Sequence, residues 1–344
     1  MNRRIFSWLC LLASAAPGHA QNDPLFMSDE PLAITIEMPL TTIIKDASSK
    51  PLVDGTVSFR DTDGSRATIQ ISMTTRGRSR LEYCRFPPLK LNLKKKQAKG
   101  TLFDGQNKLK IVTHCRDGDT HQRYLRQEFG IYKVYNVLTD YSFRARWITV
   151  TYKDSEGERD DEVHDAFFIE SNREVGERHG RERVMDNTIL SSQLDPVESS
   201  RYALFQYLIA NTDWSMLKGP GAEGCCHNGK ILRVPGSTKN WVVLPYDFDQ
   251  AGLIKTRYAL PAEALRIRSV RQRLYRGRCR HNAELAATIA LFNERREAME
   301  VYLVPQELSE KEQNKARDYV DDFFEIINDP KKMQKKLLEA CVGT

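Results

Sequence analysis

Past residue 20 the chain has no apolar run long enough to cross a bilayer, no internal repeat and no low-complexity tract. The first absence excludes a helical membrane span, which needs about 20 consecutive apolar residues. The second excludes solenoids and propellers, and the third a biased, coreless chain. Charge of one sign is also in short supply. A net charge of +6 over 344 residues favours acidic ligands without demanding nucleic acid, and none is expected as a partner. What remains is 40% hydrophobic and 28% charged, the balance of a folded protein able to bury a large core in one bipartite unit or two domains.

The first twenty residues stand apart. Arg3 and Arg4, an apolar run from Ile5 to Ala16, and Gly18-His19-Ala20 read as a secretory signal cleaved before Gln21. The run is too short for an anchor, so a periplasmic or extracellular chain without a transmembrane anchor is expected. Loss of the two arginines lowers the net charge to +4. Cys10 leaves with the signal, and Cys84, Cys115, Cys225, Cys226, Cys279 and Cys341 remain. An even number of cysteines in an oxidising compartment implies disulfides. Cys225 and Cys226 are adjacent, which predicts different partners for each. With His227 they fall one ligand short of a tetrahedral zinc set, so structural cysteines are expected there.

From Leu32 to Val112 the pattern is alternating and β-like: 33–38, 56–59, 67–73, 89–93 and 109–112, with turns expected at Asp54-Gly55 and Asp63-Gly64. His121 to Leu138 carries Leu125, Phe129, Tyr132 and Leu138 at helical spacing. Two further strands are expected at 146–152 and 165–170. After Ser199 the chain turns helical, apart from strands at 230–234 and 241–244. Residues 260–340 read as several amphipathic helices. One of them spans Arg266 to Arg280, with seven arginines and Leu265, Val270 and Leu274 as its apolar face. It reads as a solvated face or as a stripe for an acidic partner.

The chemistry concentrates in one stretch. Asn211-Thr212-Asp213-Trp214 follows the apolar run 203–210. Cys226-His227-Asn228 comes next, and the β-rich run 241–244 ends where Asp247-Phe248-Asp249 begins. An aspartate, an asparagine and an acidic pair at the end of a strand suit metal-assisted phosphoryl transfer. This progression resembles the spore-coat CotH kinase family and, more distantly, the HipA-like kinases. Thr75-Arg76-Gly77-Arg78-Ser79, Phe86-Pro87-Pro88-Leu89-Lys90, Leu102-Phe103-Asp104-Gly105, Tyr124-Leu125-Arg126 and Phe167-Phe168-Ile169-Glu170 extend the resemblance over residues 66–254. There is no G-x-G-x-x-G loop, H-R-D or D-F-G of the ordinary protein kinases. The stretch from Asp213 to Asn228 is longer than in many relatives.

The resemblance implies an α+β, two-lobed, atypical protein-kinase-like fold. After the signal at 1–20 it would have a β-rich N-lobe with one helix over 21–172 and a mainly helical C-lobe over 173–344. The pair Cys84–Cys115 would fall within the N-lobe, and the other four cysteines would tie the motif loop to the C-terminal region. The implied activity is phosphoryl transfer from ATP or another nucleotide, with Mg²⁺, to a hydroxyl of a protein or other acceptor. Nucleotidyl transfer would use the same groups.

Asp213 is then the catalytic base, or a turn residue closing the helix before it. Asn228 is a metal ligand, or an asparagine in a left-handed turn beside Gly229. Asp247 is the principal Mg²⁺ ligand and Asp249 the second, although a flat strand would turn only one of them to the site. Lys90, with Lys94 competing, would steady phosphates, and Glu128, with Arg126 competing, would pair with that lysine. Arg76 with Gly77 and Ser79 would form the turn over the phosphates, or an ordinary hairpin. Glu170 would lie at the adenine pocket. The alternative is an inactive envelope or extracellular scaffold.

Overall fold

A computed structural model describes residues 23–219, 224–262 and 264–343; the expected signal over 1–20 lies outside them. Seven strands come first: β1 Leu32–Met38, β2 Val53–Arg60, β3 Arg66–Thr75, β4 Leu89–Leu93, β5 Lys108–Val112, β6 Ala145–Asp154 and β7 Glu162–Ile169. Alternation turns one apolar set inward, as in β4, where Leu89, Leu91 and Leu93 are buried and Lys90 and Asn92 are half-exposed. A sheet with one apolar face must find a second layer or close on itself.

This one closes. The strand order is β1-β2-β3-β4-β5-β7-β6, and β1 pairs parallel to β6 with Leu32 opposite Ile148. Ile36, Val57, Ile71, Leu91, Leu109, Ile148 and Phe168 fill the interior. The closed barrel overturns the expected two-lobed kinase layout. The strands were expected where they occur, but the β1–β6 contact leaves no open β lobe. Asp63-Gly64 makes the β2–β3 turn, whereas Gly55 lies inside β2, where a Cβ would collide with the Glu37 carbonyl.

The helices are α1 Leu40–Lys45, α2 Ser79–Tyr83, α3 Lys95–Ala98, α4 Asp119–Leu138, α5 Asn172–Arg178, α6 Pro196–Leu208, α7 Leu285–Glu294, α8 Arg296–Leu303, α9 Glu310–Asn328 and α10 Pro330–Met333. Helix α4 lays Tyr132 and Phe129 against Phe167 on the outer face of the barrel. Its Gly130 lets α8 approach, since a Cβ there would collide with the Tyr302 carbonyl. Helix α6 starts on an Asp195 cap, whose carboxylate accepts the Glu198 N–H at 2.9 Å. Behind it lies a three-stranded sheet of β8 Glu182–Arg183, β9 Gly229–Arg233 and β10 Val242–Pro245, in the order β10-β9-β8. Among the described residues no helix is long and apolar enough to cross a membrane.

Two local expectations fail. Residues 266–278 are not helical. Ile267, Val270 and Tyr275 are buried from turns and irregular chain rather than from one helix face, and several arginines turn inward. Arg273 lies 3.8 Å from the centroid of the Tyr319 ring, and Arg276 donates to the Thr212 and Trp214 carbonyls at 2.8 Å each. The disulfides are Cys84–Cys115, as expected, and Cys279–Cys341. Cys225 pairs with its neighbour Cys226 rather than with the C-terminal region.

Candidate functional site

Asp213 owes its position to a tight turn after α6. Ala210 turns left-handed at φ +47°, and the Asn211 side-chain oxygen accepts the Asp213 N–H at 3.0 Å. The Trp214 indole closes the turn on the Asn211 carbonyl at 2.8 Å. The segment holding His227 then runs alongside, with Ser215 N–H donating to the His227 carbonyl and His227 N–H to the Lys218 carbonyl, both at 3.0 Å. This brings His227 Nε2 to 2.6 Å from Asp213 Oδ1 and Asn228 Nδ2 to 2.9 Å from Asp213 Oδ2. Both partners of the first contact are open to solvent, His227 at 44% and Asp213 at 40%. The hydrogen bond to Asp213 raises the His227 imidazole above its usual range, against partial burial.

The hairpin register adds the acidic pair. Gly229 lies opposite Pro245 in the β9–β10 ladder, and Tyr246 N–H donates to the Asn228 carbonyl at 3.3 Å. Asp247, next along, has φ +64°, and its N–H donates to the Tyr132 hydroxyl of α4 at 3.1 Å. The chain has therefore left the strand before the two aspartates. Their carboxylates lie close enough that Asp247 adds to the rise that burial imposes on Asp249. Asp247 is half-buried, and its carboxylate has no hydrogen-bond or ion-pair partner among the described residues.

Asp249 differs. Its Oδ2 accepts from Arg80 Nε and from the Tyr258 hydroxyl, each at 3.1 Å. Arg80, from α2, also pairs with Glu128. Burial alone would lower the Arg80 guanidinium; Glu128, Tyr258 and Asp249 outweigh it and hold the group above its ordinary value. The Glu128 pairing expected for a phosphate lysine is made by Arg80 instead.

The lysines sit on the outside of the barrel. Lys90 lies opposite Lys110 across the β4–β5 ladder. Burial lowers Lys90, and Lys108 and Arg76 add to it. Lys110 goes further, pushed down to about 7 by burial and then by Arg76 and Lys230, with Asp247 opposing. Its Nζ lies 5.0 Å from the centroid of the Tyr246 ring, and Lys230 Nζ lies 4.9 Å from the same centroid. Arg76 follows β3, its N–H donating to the Pro88 carbonyl at 2.9 Å, and its Nε is buried without a partner. Gly77, at φ +91°, makes the turn that separates it from α2.

Glu170 is 1% exposed, and its two oxygens take Arg178 at 3.0 Å and the Arg144 N–H at 2.9 Å. That leaves it a structural brace. Arg126 faces outward, to Asp165 and Glu307.

The structure thus brings together Asp213, Asn228 and Asp247, with Lys110, Lys230 and Arg76 beside Asp247. Arg80 and Lys110 stand at this site and were not among the residues marked by sequence reasoning. Lys110 alternates with Leu109 and Ile111 just as Lys90 does with Leu89 and Leu91, so parity alone marks both. The donors fit a hard divalent cation. Asp247 offers an unspent carboxylate. Asn228 retains its side-chain oxygen, because its amide nitrogen goes to Asp213. No family model matches this chain, and no curated protein matches it.

Proposed function

We propose that the chain transfers a phosphoryl group from a Mg²⁺-bound nucleotide to a hydroxyl of a protein acceptor, outside the cytoplasm. The reading rests on the site and on the CotH-like motif residues, and on no likeness of fold. The observation that carries it is the half-buried Asp247 carboxylate, unpaired among the described residues and set between an Asp213–Asn228 pair and a cluster of cations. Asp247 and the Asn228 side-chain oxygen hold the metal, which supplies charge neutralisation for the phosphates. Lys110, Lys230 and Arg76 bind phosphate oxygens, and an arriving anion restores the Lys110 proton that burial disfavours. Asp213 accepts the proton of the acceptor hydroxyl, with His227 sharing the charge through its hydrogen bond. Disulfides and the leader-like N-terminus support an exported chain.

One observation favours the alternative of a binding scaffold. Arg80 and Tyr258 already occupy Asp249, so only one of the acidic pair is open to a metal. Calorimetric titration of the oxidised protein with ATP and Mg²⁺ separates the two readings. Binding by the wild type that is lost in Asp247→Ala, with the fold intact, supports transfer at this site. No binding by a folded wild type overturns it in favour of the scaffold.

A further inference from the structure

Outside this site, at the end of the barrel where β5 leaves and β7 enters, two imidazoles lie face to face. The His114 and His164 rings are 3.6 Å apart at 12°. His114 is 3% exposed, yet neither of its ring nitrogens has a hydrogen-bond partner among the described residues. Nδ1 is buried and unpartnered, and Nε2 stands 4.0 Å from Asp117 Oδ1, beyond hydrogen-bond range. A buried polar ring left without a partner costs about 1–3 kcal/mol, so such rings are rare unless something else satisfies them. One ligand atom each from His114, Asp117 and His164 can be chosen so that all lie within 4.8 Å of one another.

We propose that His114, His164 and Asp117 form a site for a transition-metal dication of the zinc class, separate from the magnesium site. Two imidazoles and one carboxylate are the donors that zinc, cobalt and nickel prefer, whereas magnesium takes oxygen.

His164 also has the support that metal-bound histidines use. Glu162 Oε2 lies 3.3 Å from its Nε2, so a carboxylate stands behind one nitrogen and leaves the other as the lone-pair donor. The floor is firm, with the Phe86 ring 4.6 Å from His114 and packed at 4.7 Å on Tyr152. Parallel rings do not point their lone pairs at one ion, so binding opens the stack. His164, whose side chain is 17% exposed against 3% for His114, is the less buried of the two rings. Asp117, 81% exposed, closes onto the ion from the loop. Three protein ligands leave a fourth position for water.

The test is zinc titration of the oxidised full chain by calorimetry, with cobalt absorption reporting the ligand set. One zinc per chain is expected. His164→Gln should lose it and Asp117→Asn should weaken it, while Glu162→Gln should weaken it about 10-fold. Asp247→Asn should bind as the wild type does. Asp117 is exposed, so its variant keeps the fold in any case. The proposal is overturned if the folded wild type binds no stoichiometric zinc, if His164→Gln and Asp117→Asn bind it unchanged, or if Asp247→Asn alone abolishes it. The last result would assign the metal to the other site.

Discussion

Asp213 Oδ1 lies 2.6 Å from His227 Nε2, while the other Asp213 oxygen holds Asn228. The carboxylate therefore stabilises the charged imidazole, and the His227 value is raised. A raised histidine contributes stability that is fully present below its unfolded value near 6.5 and is lost as pH climbs through the folded value. By NMR, His227 should titrate above the ordinary histidine range in the wild type and fall back in Asp213→Asn. Equal titration in both proteins would show that the contact does not form in solution.

Lys110 sets stability against binding. Its folded value is about 7 against 10.5 for a free lysine. Its charge therefore costs stability below that value, and the cost fades as pH rises from about 7 toward 10.5. Lys110→Met should stabilise the fold at pH ~6, by about 1 kcal/mol or more, as replacing a buried charge with an apolar group often does. The gain should vanish in alkaline buffer, and Mg-ATP binding should weaken in acid and neutral buffer, where the bound anion keeps the amine protonated. A lower denaturation midpoint for Lys110→Met in acid would contradict the burial of this amine.

What could be read from the sequence was local. Alternation marked the first five barrel strands, and 3.6-residue spacing marked α4, because each signal lies within one element. Barrel closure joins Leu32 to Ile148 in parallel, and no local pattern encodes a contact over that separation. The turn that puts Asp247 out of strand geometry depends on the Tyr132 hydroxyl, another distant partner. Arg80 was hidden among Arg76, Arg78 and Arg85, which have the same chemistry. Only the position of α2 decides which of them faces Glu128. The arginines of 266–280 misled for the converse reason. Their spacing is compatible with a helix, but Arg273 and Arg276 are consumed by Tyr319 and by the carbonyls of the Asp213 turn.

Arg80→Ala should be among the most damaging substitutions. It leaves Glu128 and Asp249 buried without their cation, and breaking a buried pair from one side costs about 3–5 kcal/mol. Adding Glu128→Gln removes one of the stranded charges, so the double variant should be more stable than Arg80→Ala alone. Urea denaturation reads both. Additive losses would mean that the two side chains are not coupled.

The two long-range disulfides should be distinguishable by where their loss is felt. Chain entropy assigns each about 4 kcal/mol, for bridges spanning 31 and 62 residues. Cys84, however, caps α2, the short helix that carries Arg80, whereas Cys279–Cys341 fastens the C-terminal strand of chain beside Gly277. Hydrogen exchange should therefore quicken at residues 79–83 and 247–258 in the Cys84→Ser/Cys115→Ser variant. The Cys279→Ser/Cys341→Ser variant should loosen the C-terminal residues and leave those segments protected. If both variants expose residues 247–258 equally, the Cys84–Cys115 bridge is not what holds Arg80 against Asp249, and packing of Tyr258 on Tyr83, with ring centroids 4.7 Å apart, carries that role instead.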